Sequence, residues 1–162
     1  MTAPTKAHKL RDDELLITRT FNAPLALVWR MWEDEDHMRR WWGPEGFSIL
    51  SLTSDFRPGG AWRCRMTSDA YGEGRSGGTY SEIEKEKRIV FSFAWDEDFG
   101  DPTLTTVTVT FEERDGKTIQ HFHQAPFSTP ESRDSHVAGW NSLFNKEETY
   151  AERLAGRQTP SA

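Results

Sequence analysis

The chain contains a single cysteine, Cys64, among its 162 residues. One cysteine cannot form an internal disulfide, so the sequence favours a reducing compartment and a cytoplasmic protein. We interpret Cys64 as a small buried hydrophobe. Segment 1–13 is polar and lacks the apolar stretch of a signal peptide, and it is expected to be a disordered tail.

Long apolar runs and an excess of positive charge are also missing. No run approaches the length that crosses a bilayer, so no membrane insertion is predicted. Lys plus Arg number 20 against 26 Asp plus Glu, a net charge of −6, which argues against a nucleic-acid partner. With no internal repeat or linker, residues 14–155 are expected to form one domain, followed by a C-terminal tail at 156–162.

Aromatic residues, in contrast, are abundant: seven Trp and ten Phe. Such side chains suit a compact core or a wide apolar pocket. Strand-like segments recur along the chain and are separated by turns such as Asp115-Gly116. They are 14–21, 47–56, 61–67, 78–84, 88–95, 104–112 and 118–125, with 71–77 interpreted as a glycine-rich loop.

Apolar and polar residues alternate most clearly in two of these strands. Ile89, Phe91, Phe93 and Trp95 share one face of the first. In the second, Val107, Val109 and Phe111 oppose Thr106, Thr108 and Thr110. One face of an antiparallel sheet is therefore predicted to be apolar and the other polar.

Three helices complete the predicted order. Leu25, Val28, Trp29 and Trp32 form an amphipathic stripe after the first strand, and a second short helix follows at 36–41. Thr129-Pro130 starts a long helix that runs to about residue 155. A helix of 25 residues is about 37 Å long and can cover a whole sheet. The pattern indicates an α+β fold.

Several local strings, in this order, resemble the START-like superfamily and, within it, the Aha-type family, named after the activator of the 90-kDa heat-shock protein ATPase. The strings are 19–24 (RTFNAP), Val28-Trp29, 41–44 (WWGP), 55–60 (DFRPGG), 78–83 (GTYSEI), 88–91 (RIVF) and Gly139-Trp140. The resemblance implies a helix-grip fold, a curved sheet of six to seven strands around the long C-terminal helix, with a cavity between them. Relatives in the superfamily bind lipids, sterols, hormones or polyketides, and some act on polyketides.

The fold that this resemblance implies gives the first functional hypothesis: one hydrophobic or amphipathic small molecule, a lipid, polyketide or aromatic compound, bound between sheet and helix. Tyr80, Glu82, His121 and His123 are expected to supply its polar contacts. The expected apolar lining is Trp32, Trp42, Trp62, Phe91, Phe93, Trp95, Phe111, Trp140 and Phe144. The alternative is that these aromatics fill the core.

Histidines are the most informative polar residues. Strand alternation is interpreted as placing Ile119, His121 and His123 on the inner face, and His136 shares a helix face with Trp140. Converging histidines suit general acid–base chemistry or a metal, whereas the alternative is a single hydrogen bond for each ring. We predict no metal and no cofactor, and binding is favoured over enzymatic activity.

Other motifs are weaker. Glu82 is interpreted either as a carboxylate facing the cavity or as the partner of Arg63 or Arg65. The glycines of 58–60 and 72–78 lack P-loop spacing and are interpreted as turns. Two alternative functions remain, a polyketide-cyclase or dehydratase using His121 or His123, and an interaction module that forms a homodimer or regulates a chaperone. The last requires an exposed apolar patch, for which Trp29, Phe122 and Phe127 are candidates.

Overall fold

A computed structural model of the protein describes residues 10–158. The elements are β1 (Leu15–Phe21), α1 (Leu25–Glu33), α2 (Glu35–Trp41), β2 (Ser48–Ser54), β3 (Ala61–Ser68), β4 (Gly72–Glu84), β5 (Arg88–Trp95), β6 (Thr105–Arg114), β7 (Lys117–Ala125) and α3 (Pro130–Gln158). The predicted order of strands and helices is therefore confirmed. Residues 1–9 and 159–162 of the two predicted tails lie outside the described residues.

One seven-stranded antiparallel sheet runs in the order β1-β7-β6-β5-β4-β3-β2. Neighbours β2 to β7 are consecutive in the chain, and β1 closes the sheet by pairing with β7, with Leu15 opposite Gln124 and Phe21 opposite Thr118. At the β6–β7 turn, Asp115 and Gly116 both have positive φ, which suits a tight hairpin. The α+β helix-grip prediction is confirmed.

The predicted faces of β5 and β6 are confirmed as well. Ile89, Phe91 and Phe93 are buried on the inner face, as are Val107 and Val109 of the neighbouring strand. The inner face is covered by α3 and, at one end, by α1 and α2. The core lies between these helices and the sheet.

The glycine-rich segment 72–77 is part of β4 and not a loop, so that interpretation was wrong. Gly78 pairs with Trp62 of β3, and a Cβ there would lie 1.8 Å from the Ser92 carbonyl oxygen of β5. At Gly74 a Cβ would meet the Trp95 ring at 3.1 Å. Glycine occurs at these positions because neighbouring strands and rings occupy the space that a side chain would need. From the sequence alone, the same glycines indicate a flexible loop.

Helix α3 begins as the sequence predicts and ends later. The Thr129 hydroxyl accepts a hydrogen bond from the Ser132 amide, an N-cap, with Pro130 as the first helical residue. The helix continues to Gln158, past the expected end near residue 155. Within residues 10–158, no helix is long and apolar enough to span a membrane.

Candidate functional site

A cavity of about 590 Å³ lies between the first half of α3 and the inner faces of β3, β4 and β5. The connection from α2 to β2 forms its third wall. Its apolar lining consists of Trp42, Phe47, Met66, Phe93, Trp95, Trp140 and Leu143. Exposed Glu45, Tyr71 and Ser135 lie at its edge, where it opens to solvent. Small-molecule pockets occupy roughly 300–1,000 Å³, so this volume fits one ligand.

The cavity lies where α3 presents small side chains to the sheet. On the cavity side the helix carries Ser132, Ser135, Ala138, Gly139 and Ser142. Farther along, larger residues such as Phe144 and Glu147 are completely buried. The gap therefore opens at the N-terminal half of α3 and closes toward its C-terminal half.

Buried polar groups fix the orientation of Trp140 on the helix wall. Its indole Nε1 donates to the Gln124 side-chain oxygen at 2.7 Å, and Gln124 Nε2 donates to Thr105 Oγ1 at 2.8 Å. The Thr105 hydroxyl donates in turn to the Phe93 carbonyl at 2.9 Å. Gln124 is fully buried, so this chain of bonds satisfies it and holds the indole ring in place.

Trp95, on the sheet wall, is held by His136 of α3. The Trp95 Nε1–H donates to His136 Nε2 at 3.0 Å, while His136 Nδ1 lies 2.7 Å from the Ser132 carbonyl oxygen. Because the indole only donates and the carbonyl only accepts, the ring carries its proton on Nδ1. Both His136 nitrogens are therefore occupied, so the ring has no free lone pair with which to act as a base.

Ser76 supplies a polar group on the sheet wall. Its side chain lies on the inner face of β4 and is only 2% exposed. It lines the cavity, which makes it a polar side chain of the sheet wall. Its Oγ is not among the fully buried side-chain atoms that lack a partner, so the hydroxyl is accessible from the cavity. A bound molecule with a polar atom can form a hydrogen bond with it.

Asp101 lies at the edge of the cavity and ties the β5–β6 loop to the start of α3. Its carboxylate accepts from Ser128 Oγ at 2.5 Å, from Ser132 Oγ at 2.9 Å and from the Thr103 amide at 3.0 Å. These donors, Ser128 and Thr103 foremost, hold the pKa of Asp101 far below its usual range. The edge therefore carries a permanent negative charge.

The third wall is tied to α3 by a reciprocal pair. The Glu45 amide donates to Ser142 Oγ at 2.7 Å, and Ser142 Oγ donates to Glu45 Oε1 at 3.2 Å. Lys146 donates to the carbonyls of Trp42 at 3.1 Å and Gly43 at 3.0 Å, and burial lowers its pKa. These contacts hold the 42–47 segment against the helix.

The half of the interior that lies away from the cavity is filled by side chains. Trp32 Nε1 donates to Gln120 Oε1 at 3.0 Å and contacts Glu147 Oε2 at 3.2 Å, and Gln120 Nε2 donates to Glu147 Oε1 at 3.1 Å. Glu147 is completely buried, and desolvation raises its pKa to about 8. This network lies in the core and does not line the cavity.

The predicted aromatic lining divides between these two halves. Trp42, Phe93, Trp95 and Trp140 line the cavity. The other predicted rings pack in the core and are absent from the cavity wall: Trp32, Trp62, Tyr80, Phe91, Phe111 and Phe144. Trp62 illustrates the second group, with Nε1 donating to the Ser92 carbonyl and its ring 5.8 Å from that of Phe91.

The predicted inward position of His121 and His123 is wrong. On β7 the buried residues are Thr118, Gln120, Phe122 and Gln124, so both histidines lie on the outer face. His121 contacts Glu112 at 3.0 Å and Thr18 at 2.9 Å, and His123 contacts Glu14 at 2.7 Å. In β7, apolar residues occur on both faces, so hydrophobicity alone does not identify the inner face. Gln120 and Gln124 can be buried there because side chains of the interior give them hydrogen-bond partners.

Glu82 also faces away from the cavity. A β-bulge between Tyr80 and Glu82 shifts the register with β5, which breaks the alternation that pointed Glu82 inward. Glu82 is exposed and pairs with Arg88 at 3.4 Å, not with Arg63 or Arg65. Tyr80 does point inward, but its hydroxyl bonds Ser54 Oγ at 2.7 Å, and burial raises its pKa to about 12.

Sequence reasoning missed Ser76, Asp101 and Gly139 as residues of the cavity. Ser76 falls in a segment interpreted as a loop, which hid its strand parity. Asp101 falls between two predicted strands, at 88–95 and 104–112, where strand parity does not indicate which way a side chain points. For Gly139 the helical spacing from His136 and Trp140 was a usable signal. Within residues 10–158, no group of three or more His, Cys, Asp or Glu side chains is placed to hold a metal ion.

Solved structures share this architecture. A protein from Chromobacterium violaceum aligns with a TM-score of 0.78 at 24% identity, covering 88% of this chain and 99% of that one. A Nitrosomonas europaea protein gives 0.75 at 20%, covering 90% and 97%. An AHSA1 protein from Silicibacter pomeroyi gives 0.75 at 21%, covering 90% and 99%. At these identities the likeness concerns the fold.

No curated protein matches the chain. A family model does: the family described as Activator of Hsp90 ATPase homolog 1-like protein matches residues 22–152. That range covers most of the sequence and includes every string that suggested an Aha-type, START-like protein except the first, 19–24, which it includes in part. The resemblance is confirmed, and the chain belongs to the Activator of Hsp90 ATPase homolog 1-like family.

Proposed function

We propose that the protein binds one predominantly apolar small molecule with at least one aromatic ring in the cavity between the sheet and α3. The observation that carries this proposal is the combination of an aromatic-lined cavity of about 590 Å³ with the polar side chain of Ser76 on its wall. An apolar pocket with few convergent polar groups is the usual form of a ligand site.

The geometry of the rings supports an aromatic ligand. Trp140 lies 5.5 Å from Trp42 and 5.6 Å from Phe93, and Phe93 lies 5.5 Å from Trp95, measured between ring centroids. All three pairs are edge-on, so ring faces and edges alternate around the wall. A flat ligand ring can extend this arrangement, which adds about 0.5–1.5 kcal/mol per aromatic pair beyond area burial.

The enzymatic alternative has less support. His121 and His123 lie on the outer face, and His136, beside the cavity, has both nitrogens engaged. A general base needs a free lone pair within reach of the bound molecule. Binding without catalysis therefore fits the site better.

The chaperone-regulator alternative rests on the family description alone. Its predicted apolar patch is not on the surface, because Trp29, Phe122 and Phe127 are all buried. The exposed large apolar residues include Leu16 on β1, Leu50 on β2 and Leu104 in the β5–β6 loop, and none of them is a residue predicted for that patch. The homodimer alternative relied on the same predicted patch and loses its support for the same reason.

Thermal shift across uncharged aromatic compounds tests the proposal, with tryptophan fluorescence as a second readout. We expect at least one compound to raise the melting temperature and change the emission of the cavity tryptophans. Gly139→Leu fills the cavity wall and should abolish both effects. Gly156→Leu places the same residue in the exposed end of α3, with no neighbour within 4 Å, and should leave both unchanged. Equal responses in the two variants would refute a cavity site.

A further inference from the structure

The charged residues of the cavity all carry the same sign. Glu45 and Asp101 line it, and among residues 10–158 no lysine or arginine does. Resting on the proposed binding function, we propose that the cavity selects uncharged or cationic aromatic molecules and rejects carboxylates. Such a ligand lies across Gly139 and directs a polar atom to Ser76.

Basic residues on the elements around the cavity are directed to other partners. Lys146 gives its ammonium group to the carbonyls of Trp42 and Gly43. Arg75, on β4, pairs with Glu73 and lies over the Phe99 ring, 4.8 Å from its centroid. Arg63, on β3, pairs with Asp96 at 2.9 Å. A carboxylate entering the cavity would lose its hydration and find no cation in return.

A cation meets a different environment. The faces of Trp42, Trp95 and Trp140 carry negative electrostatic potential, which attracts a cation. The Asp101 carboxylate remains ionised at the edge, because three hydrogen-bond donors stabilise its charge. His136 opposes neither effect, since its Nδ1–H is turned to the Ser132 carbonyl and its Nε2 accepts from Trp95.

Gly139 indicates where the ligand lies. A glycine inside a helix is unfavourable relative to alanine. Here the protein itself does not require one: a Cβ would meet only Pro44 Cγ, at 4.0 Å, and the backbone has no positive φ. The missing side chain leaves open space on the helix wall beside Pro44. A planar ring against this wall has Ser76 on the opposite side as a hydrogen-bond partner.

A matched series of pyrenes tests this selection of uncharged or cationic molecules over carboxylates, which we call the charge rule. The probes are 1-pyrenemethanol, 1-pyrenemethylamine and 1-pyrenecarboxylic acid, which share one ring system and differ in charge at pH 7. Energy transfer from the tryptophans to pyrene reports binding. We expect the amine to bind at least as tightly as the alcohol, and the carboxylate about tenfold or more weaker, the effect of about 1.4 kcal/mol.

Three further variants test which residues set this preference. Ser135→Lys places a cation at the exposed edge of the cavity and should tighten carboxylate binding while weakening the amine. Ser51→Lys, on an exposed position of β2 away from the cavity, adds the same charge and should change neither. Ser76→Ala should weaken the alcohol by about fivefold, the value of one hydrogen bond.

The outcomes separate the two proposals. If no probe binds the wild-type protein, the binding function and the charge rule fall together. If all three bind equally, or the carboxylate binds best, and Gly139→Leu still blocks them, the binding function stands and the charge rule is overturned.

Discussion

Glu147 is a carboxyl group in the middle of the core, with none of its surface exposed. Its oxygens face Gln120 Nε2 and Trp32 Nε1, both neutral donors. Desolvation outweighs these bonds and raises the pKa of Glu147 from 4.5 to about 8. Near neutral pH the carboxyl is therefore mostly protonated in the folded protein.

The raised pKa predicts a pH dependence of stability. The stability that protonated Glu147 contributes is fully present below pH 4.5, where the residue is protonated in the folded and the unfolded state. It is lost as pH rises through about 8. The loss is a few kcal/mol, at about 1.4 kcal/mol per pKa unit. Glu147→Gln should remove much of it, so the variant gains stability relative to wild type between pH 5 and 9.

Urea unfolding at pH 5, 7 and 9 measures this difference. Glu148→Gln is the matched control, because that neighbouring carboxylate is partly exposed and pairs with Arg19 at 3.2 Å. If the free energies of unfolding of wild type and Glu147→Gln changed in parallel between pH 5 and 9, the pKa of Glu147 would not be raised in the core.

Cys64 is the second residue with a clear prediction. It is 1% exposed, and burial raises the pKa of its thiol to about 12. A thiol reagent at pH 8 should therefore modify the native protein only at the rate at which the chain opens, and modify it immediately in urea. Rapid labelling of the native protein would contradict the buried position.

At the scale of elements, the β5–β6 loop is held to α3 by Asp101. Asp101→Ala leaves Ser128, Ser132 and the Thr103 amide without their common acceptor. We expect a loss of about 1–3 kcal/mol in the free energy of unfolding, measured by urea denaturation. Asp98→Ala, at an exposed position of the same loop, should change it by less than about 0.5 kcal/mol. Equal effects would show that Asp101 does not brace the loop.

Helix α3 carries a second prediction, at Gly139. Gly139→Ala should raise the stability of the protein without ligand by up to about 1 kcal/mol, because alanine favours the helix and its Cβ has room. A shift of about 2–4 °C in melting temperature corresponds to this gain. Destabilisation would mean that the wall at Gly139 is more tightly packed than the 4.0 Å contact indicates.

The elements also show what the sequence can predict. In β5 and β6 every large apolar residue but Val90 falls on one parity, so burial follows from hydrophobicity alone. In β7 the inner face carries Gln120 and Gln124, whose burial depends on Trp32, Glu147, Trp140 and Thr105 from other elements. No local pattern contains those partners, and for that reason the histidines were placed on the wrong face.

For the whole molecule, the fold is more predictable than the site. Solved structures at 20–24% identity keep the architecture, since it depends on strand parity and one long helix. Where the interior stays open depends on single positions along α3. Gly139 and Ser142 line the cavity, whereas Phe144 and Glu147 lie in the filled half. Periodicity identifies all of these as one helix without showing which part of the sheet each one covers.

The measurement that tests the binding function most directly is native mass spectrometry of the purified protein, beside Gly139→Leu and Gly156→Leu, followed by denaturing extraction. The account predicts a stoichiometric small-molecule adduct on wild type and Gly156→Leu that is absent from Gly139→Leu, with an extracted compound that contains an aromatic ring and no carboxylate. An adduct retained at full occupancy by Gly139→Leu would place the ligand elsewhere and contradict the account.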